Sequence, residues 1–299
     1  KAGCIMVLGM MKSSVRILYI LFFASAFHLY AQDDLESLLD PVNENNLVIN
    51  TFKSTRIINN HSVEIFSPKQ LDLRISHRFG RLNSGFYELY GLDQAKIRIG
   101  LEYGLMKNLM IGLGRSSYNK TYDGYLKYLL INQSKGVNYN PLSLVVFSNI
   151  AINSLEQNYN NYPFDGRLSF CHQLLIGSKI NRALSVQFMP TWIHWNMVES
   201  SEQKNQIFVL GTGFRYLITK SVSFNSEYFI RITQEDLDAE MYNNSFSIGL
   251  DIETGGHVFQ LHLTNSMSMN ESGFITRTTG NWLDGGIHFG FNISREFNL

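Results

Sequence analysis

The sequence predicts an all-β protein, an antiparallel transmembrane β-barrel of about twelve strands with a short N-terminal periplasmic arm or plug. Three observations predict it. A two-residue alternation of apolar and polar side chains recurs through residues 69–293. The connections between these segments alternate short and long. The chain is 17% charged and 13% aromatic, against roughly 25% charged in an ordinary soluble domain.

Composition excludes several classes. At 44% hydrophobic the 299 residues are too apolar for disorder. Two cysteines build neither a disulfide scaffold nor a multi-cysteine zinc site. The 25 basic and 25 acidic residues leave no basic excess, so no nucleic-acid partner is expected.

Residues 1–31 read as upstream residues and a cleaved signal peptide. Lys12 and Arg16 supply positive charge, Ile17 to Phe27 is a short apolar run, and Ala31 is a small residue at the cleavage point. Its removal leaves 22 basic and 25 acidic residues, and Cys171 as the sole cysteine. Residues 32–68 carry a short acidic stretch, Asp33 to Leu39. An extended segment with Lys53 and Arg56 follows, then a turn at Asn59-Asn60-His61. This stretch is read as the arm or plug, and 69–299 as the barrel.

The strand segments are about 69–79, 94–105, 109–117, 123–132, 141–151, 166–178, 183–195, 205–217, 221–232, 243–253, 257–267 and 282–293. Most match the roughly 9–11 residues of a tilted membrane strand. In the first, Leu71, Leu73, Ile75 and Phe79 alternate with Asp72, Arg74, Ser76 and Arg78. Two segments break the pattern: Val145 and Phe147 put apolar groups on both faces, and Met189-Pro190 interrupts another. Tight turns fall on one rim. Long connections, 268–281 among them, fall on the other and are expected outside. The connection 133–140 is long for an inside turn. Tyr and Trp gather near strand ends, as at a lipid–water interface.

The polar faces carry charge of both signs. The predicted lumen cluster is Asp72, Arg74, Arg78, Lys96, Arg98, Glu102, Asp123 and Lys127. Arg167, Arg215, Arg231, Glu227, Asp251 and Glu253 face the same way. Such charges are either hydrated along a solute path or paired in a filled interior.

Enzyme signals are few. No His is followed two residues later by Ser, the strand spacing that would put base and nucleophile on one face. HExxH and GxSxG are absent. Gly112-Leu113-Gly114 is a lumen-facing glycine pair, not a phosphate loop. The acidic run Glu235 to Glu240 fails the EF-hand spacing. No enzymatic activity, cofactor or metal is expected.

Several blocks carry a resemblance. They are Phe52-Lys53-Ser54-Thr55-Arg56-Ile57, His61-Ser62-Val63-Glu64 and Leu71-Asp72-Leu73-Arg74-Ile75-Ser76-His77-Arg78-Phe79-Gly80-Arg81. Gly91-Leu92-Asp93-Gln94-Ala95, Arg98-Ile99-Gly100-Leu101 and Gly112-Leu113-Gly114-Arg115-Ser116-Ser117 add to it. The chain resembles the Bacteroidota family of outer-membrane β-barrel proteins of unknown function. The resemblance implies an outer-membrane barrel and transfers no catalytic residue. Its polar motif positions are Arg56, His61, His77, Arg81, Asp93, Gln94 and Arg115. With the charges of the early strands, several are expected to form one polar cluster at an end of the lumen.

Two functions follow from these readings. The first is a porin-like passive channel for small polar solutes in a Gram-negative outer membrane. The second is a structural or partner-binding barrel with a closed lumen. Expected partners are the lipid bilayer, lipopolysaccharide and the barrel-assembly machinery.

Overall fold

Side chains that alternate every second residue can satisfy lipid on one face only if the backbone's polar groups are all used, which a closed sheet achieves. The computed structural model, which describes residues 46–155, 163–198, 200–232, 241–254 and 257–299, shows that closure. A two-residue strand β1 (Asn46–Leu47) precedes the wall. The wall begins with β2 (Gln70–Arg81), β3 (Ala95–Met106), β4 (Leu109–Ser116) and β5 (Tyr122–Ile131). After the two-residue β6 (Ser134–Lys135) come β7 (Ser143–Ile152), β8 (Leu168–Lys179), β9 (Leu184–Trp195) and β10 (Gln206–Leu217). It ends with β11 (Val222–Arg231), β12 (Phe246–Thr254), β13 (His257–Thr264) and β14 (His288–Asn298). Twelve of these, all but β1 and β6, close one antiparallel barrel in chain order, with β14 sealing against β2.

The alternation sorts as expected. Ile99, Leu101, Leu113, Leu126, Leu130, Ile150, Phe208 and Leu261 are exposed on the outer wall. Asp72, Arg74, Arg78, Arg98, Glu102, Asp123 and Lys127 are buried inside it. The chain's N-terminal strand end and its C-terminus share one rim, the near rim, since Gln70 pairs with Asn298. The turn at 107–108 lies there too, between β3 and β4.

Four features depart from the sequence expectation or explain its irregularities. The last strand is displaced: it runs from His288 to Asn298 rather than 282–293. Trp282–Asp284 forms a 3-10 turn, with Asn281 capping Leu283 and Gly285 at φ 77. The displacement puts Phe297 opposite Leu71 and pairs the strand along most of β2. The connection at 133–140 is long because β6 pairs with β1 there. Expected outer loop 268–281 turns inward instead: Asn265, Ser266, Ser268 to Thr276 and Thr278 are buried, with a short helix α1 (Glu271–Thr276) at the centre. The inward apolar groups of β7 and β9 have partners in the lumen, because Phe147, Val145 and Met189 belong to one buried cluster with Phe52, Ile57, Ile58 and Val63.

The expected signal peptide, the acidic stretch at 33–39 and the acidic run at 235–240 lie outside the described residues.

Candidate functional site: a stoppered lumen

Residues 51–63 form a hairpin inside the barrel. Ile57 N–H donates to the Asn60 carbonyl at 2.8 Å, Ser62 N–H to that of Thr55 at 2.9 Å, and Arg56 bridges His61 across the two arms. The segment enters from the near rim, where Lys53 pairs with Glu253 at the end of β12. Its tip reaches Ser247 at the start of β12, to which Asn59 Nδ2 donates at 2.8 Å.

A backbone removed from water must find partners for its N–H and C=O groups. Wall side chains supply them. Glu227 on β11 accepts the amides of Asn59 at 3.0 Å and Asn60 at 3.1 Å. Lys127 donates to the carbonyls of Thr55 at 3.3 Å and Glu64 at 2.5 Å. Gln260 takes the Ile57 carbonyl at 2.5 Å, Asn292 that of Ile58 at 3.2 Å, and Gln187 that of His61 at 2.8 Å. The wall therefore reads the plug largely through its main chain.

Glycines on the wall make room for the apolar side chains of the plug. A Cβ on Gly213 would stand 2.3 Å from Ile57 Cδ1, and one on Gly177 would stand 2.8 Å from the Val63 methyls. The Gly112–Gly114 pair has the same use for wall residues. A Cβ on Gly112 would strike the Tyr125 ring at 2.3 Å, and one on Gly114 would strike the Arg98 guanidinium at 2.2 Å.

The charges inside are mostly paired. Arg98 holds Asp123 through two nitrogens. Arg74 lies 3.7 Å from Glu102 and 3.6 Å from Asp72, which also accepts from Ser294 at 2.6 Å. Arg56 of the plug bonds Glu271 of α1 at 2.9 Å and approaches Glu102 at 3.5 Å. Burial alone would lower the Arg56 guanidinium, but Glu271 and Glu102 outweigh it and hold it above its ordinary value. His61 is packed between Tyr125, at 4.4 Å between ring centroids, and Phe147, at 4.3 Å. Burial, with Arg56 and Lys127 close by, holds it well below the ordinary imidazole value, so the ring is neutral at pH 7. Its Nε2 is 3.3 Å from Glu271, out of hydrogen-bonding alignment.

The predicted lumen cluster is thus inside the barrel, and Arg56 and His61 join it. Lys96, opposite Arg78 in the register, is only half-buried. The other motif residues do not join, because their positions in the pleat or the loops place them elsewhere. His77 is on the outer wall, stacked on Phe291 at 5.0 Å. Arg81 is exposed and donates to Thr279 at 3.0 Å. Asp93 and Gln94 are exposed beside the β2–β3 turn, and exposed Arg115 donates to Tyr122 at 3.2 Å. Arg56, His61, Asp72, Arg74, Arg78 and Arg98 are the motif positions buried inside the barrel.

Sequence reasoning did not find Glu64 and Glu271, which lie outside any strand and so carry no parity. The run 265–276 offered one signal: it has a single charged residue, few for an outside loop. Reasoning along single strands also did not find a Ser–His pair. Ser148 and His172 are register partners on the outer wall, with Oγ and Nδ1 2.9 Å apart and His172 stacked on Trp192 at 5.2 Å. The pair satisfies two polar groups on a face otherwise apolar.

The chain is similar to three solved structures. The KdgM porin aligns with a TM-score of 0.46 at 9% identity, covering 76% of this chain and 99% of its own. The NanC porin gives 0.48 at 8% identity, covering 77% and 100%. The outer membrane protein Omp33 of Acinetobacter baumannii gives 0.42 at 8%, covering 77% and 98%. No curated protein matches the chain. A family described as "Membrane bound beta barrel domain (DUF5777)" matches residues 52–297, a span that starts inside the plug and ends within β14. The chain belongs to this family of membrane-bound β-barrels.

Proposed function

We propose that the protein is an outer-membrane barrel of porin-like build that its own N-terminal hairpin holds shut, and that small polar solutes pass only when the hairpin leaves. The supporting observation is the occupied lumen: Phe52, Ile57, Ile58, Asn60, His61 and Ser62 are each at most 1% exposed. A permanently open pore needs a continuous hydrated path. Here that path is filled from the near rim by the hairpin and from the other rim by 265–278. The outer wall would face the bilayer and lipopolysaccharide, and insertion would need the barrel-assembly machinery. With the near rim in the periplasm, the long connections fall outside.

Planar-bilayer recording tests the reading. The full chain is expected to be silent, and a chain lacking both residues 32–68 and the inward-turned stretch 266–276 to give steady currents. Silence of the deleted chain, once heat-modifiable migration has verified its folding, would overturn the conduit and leave the closed-lumen, partner-binding barrel. Steady currents from the full chain would overturn the stopper.

A further inference from the structure

Six wall side chains end on main-chain atoms of the hairpin segment. Glu227 accepts the adjacent amides of Asn59 and Asn60. Lys127 donates to the carbonyls of Thr55 and Glu64, and Arg215 to that of Thr51 at 3.4 Å. Gln187, Gln260 and Asn292 donate to the carbonyls of His61, Ile57 and Ile58. The six belong to six different strands, β5, β9, β10, β11, β13 and β14, and all are buried. Groups for binding a peptide backbone are therefore distributed around the lumen.

Bonds to main-chain atoms do not depend on which side chain the residue carries, proline's missing N–H excepted. Beside them the wall offers aliphatic seats, at Gly213 for Ile57 and at Gly177 for Val63. A departing hairpin would leave both sets of groups without partners. A polar group in a low-dielectric site is costly to leave unmatched. A ligand with an N–H and a C=O at every residue, and with branched aliphatic side chains, would match both sets. An oligosaccharide has hydroxyls for the first set and nothing for the second.

We propose, resting on the departure of the hairpin proposed above, that the vacated lumen binds short peptides and that the hairpin is a built-in peptide occupying their place. The wall would hold them through their backbone and aliphatic groups, with little regard to residue order. Peptides are then the solute class of the opened barrel.

Amide exchange of the native full chain in detergent tests this without any solute crossing. A ligand of the vacated lumen raises the open population by the factor 1 + [L]/Kd, and exchange through the open form rises with it. A synthetic peptide copying residues 54–62, at about 10 mM against a Kd of about 1 mM, is expected to speed exchange of the hairpin amides roughly tenfold. The same residues in scrambled order are expected to act within about threefold of the copy. Maltohexaose at the same concentration is expected to leave the exchange unchanged. No acceleration by either peptide, acceleration by the ordered copy alone, or equal acceleration by the sugar would each overturn the proposal. Silence of the deleted chain in bilayers would remove the conduit and leave the exchange result standing, so the two failures are separable.

Discussion

Arg56 and Glu271 are 215 residues apart in sequence and bonded at 2.9 Å in the centre of the barrel. One belongs to the hairpin that enters from the near rim, the other to the loop that enters from the opposite rim. The bond joins the two stoppers. Removing Glu271 leaves Arg56 only the more distant Glu102, at 3.5 Å, a loss of up to about 3–5 kcal/mol. Glu271→Ala is therefore expected to speed amide exchange of residues 54–62 at least tenfold by mass spectrometry, with the outer wall unchanged. Unaltered exchange in the hairpin would show that the bond does not hold it.

Glu227 is the second anchor. It accepts two adjacent amides, those of Asn59 and Asn60. Glu227→Ala would orphan both, at about 1–3 kcal/mol each. Bilayer recordings of this variant are expected to show brief openings that the native chain lacks. A silent variant with unchanged exchange would argue that the hydrophobic seats alone retain the plug.

Those seats can be tested from the wall side. Gly213→Leu would occupy the space of Ile57 Cδ1, and Ile57→Ala would empty it, at about 2–5 kcal/mol. Both are expected to make the hairpin sensitive to added protease while the barrel keeps its heat-modifiable migration. Resistance of both variants would show that Ile57 contributes little.

Acid should loosen the plug through His61. Its folded value lies below the ordinary 6.5, so the unfolded form binds more protons below that pH. The stability linked to this ring is full above pH 6.5 and is lost progressively as pH falls below it. Arg56, Lys127 and Arg98 oppose its protonation, Glu102 favours it, and Glu271 is in contact. Hairpin exchange is expected to rise between pH 7.5 and 5.5. His61→Phe, which keeps the packing between Tyr125 and Phe147, should flatten that rise. An equal rise in the variant would assign the effect to another group.

The outer wall makes a separate prediction. Leu113 is 69% exposed in the middle of β4. An arginine there, facing lipid, would cost about 2–4 kcal/mol near the bilayer midplane. Leu113→Arg is expected to lower the temperature at which the folded band is lost, and Leu113→Phe to leave it alone.

The barrel was legible because a strand has a period of two and a lipid-facing wall needs one apolar face on every strand. That logic placed Arg74, Arg98, Glu102 and Lys127 inside. It could not place Glu271, because a loop has no parity, and it read 268–281 as outside by length alone. It also gave no reason for Val145, Phe147 and Met189, whose inward apolar groups make sense only against Ile57 and Val63. His77, a motif position by resemblance, has an odd position in β2, which puts it on the outer face beside Phe291.

The hairpin lies immediately before β2, and β2 is the strand that seals against β14. Arg74 on β2 donates to Ser54 at 3.2 Å, and Asn292 on β14 reaches the Ile58 carbonyl. The stopper thus straddles the seam and bonds to both of its lips. Part of the hairpin's seat therefore exists only where β14 is paired with β2, so whatever opens that seam also takes wall contacts from the hairpin.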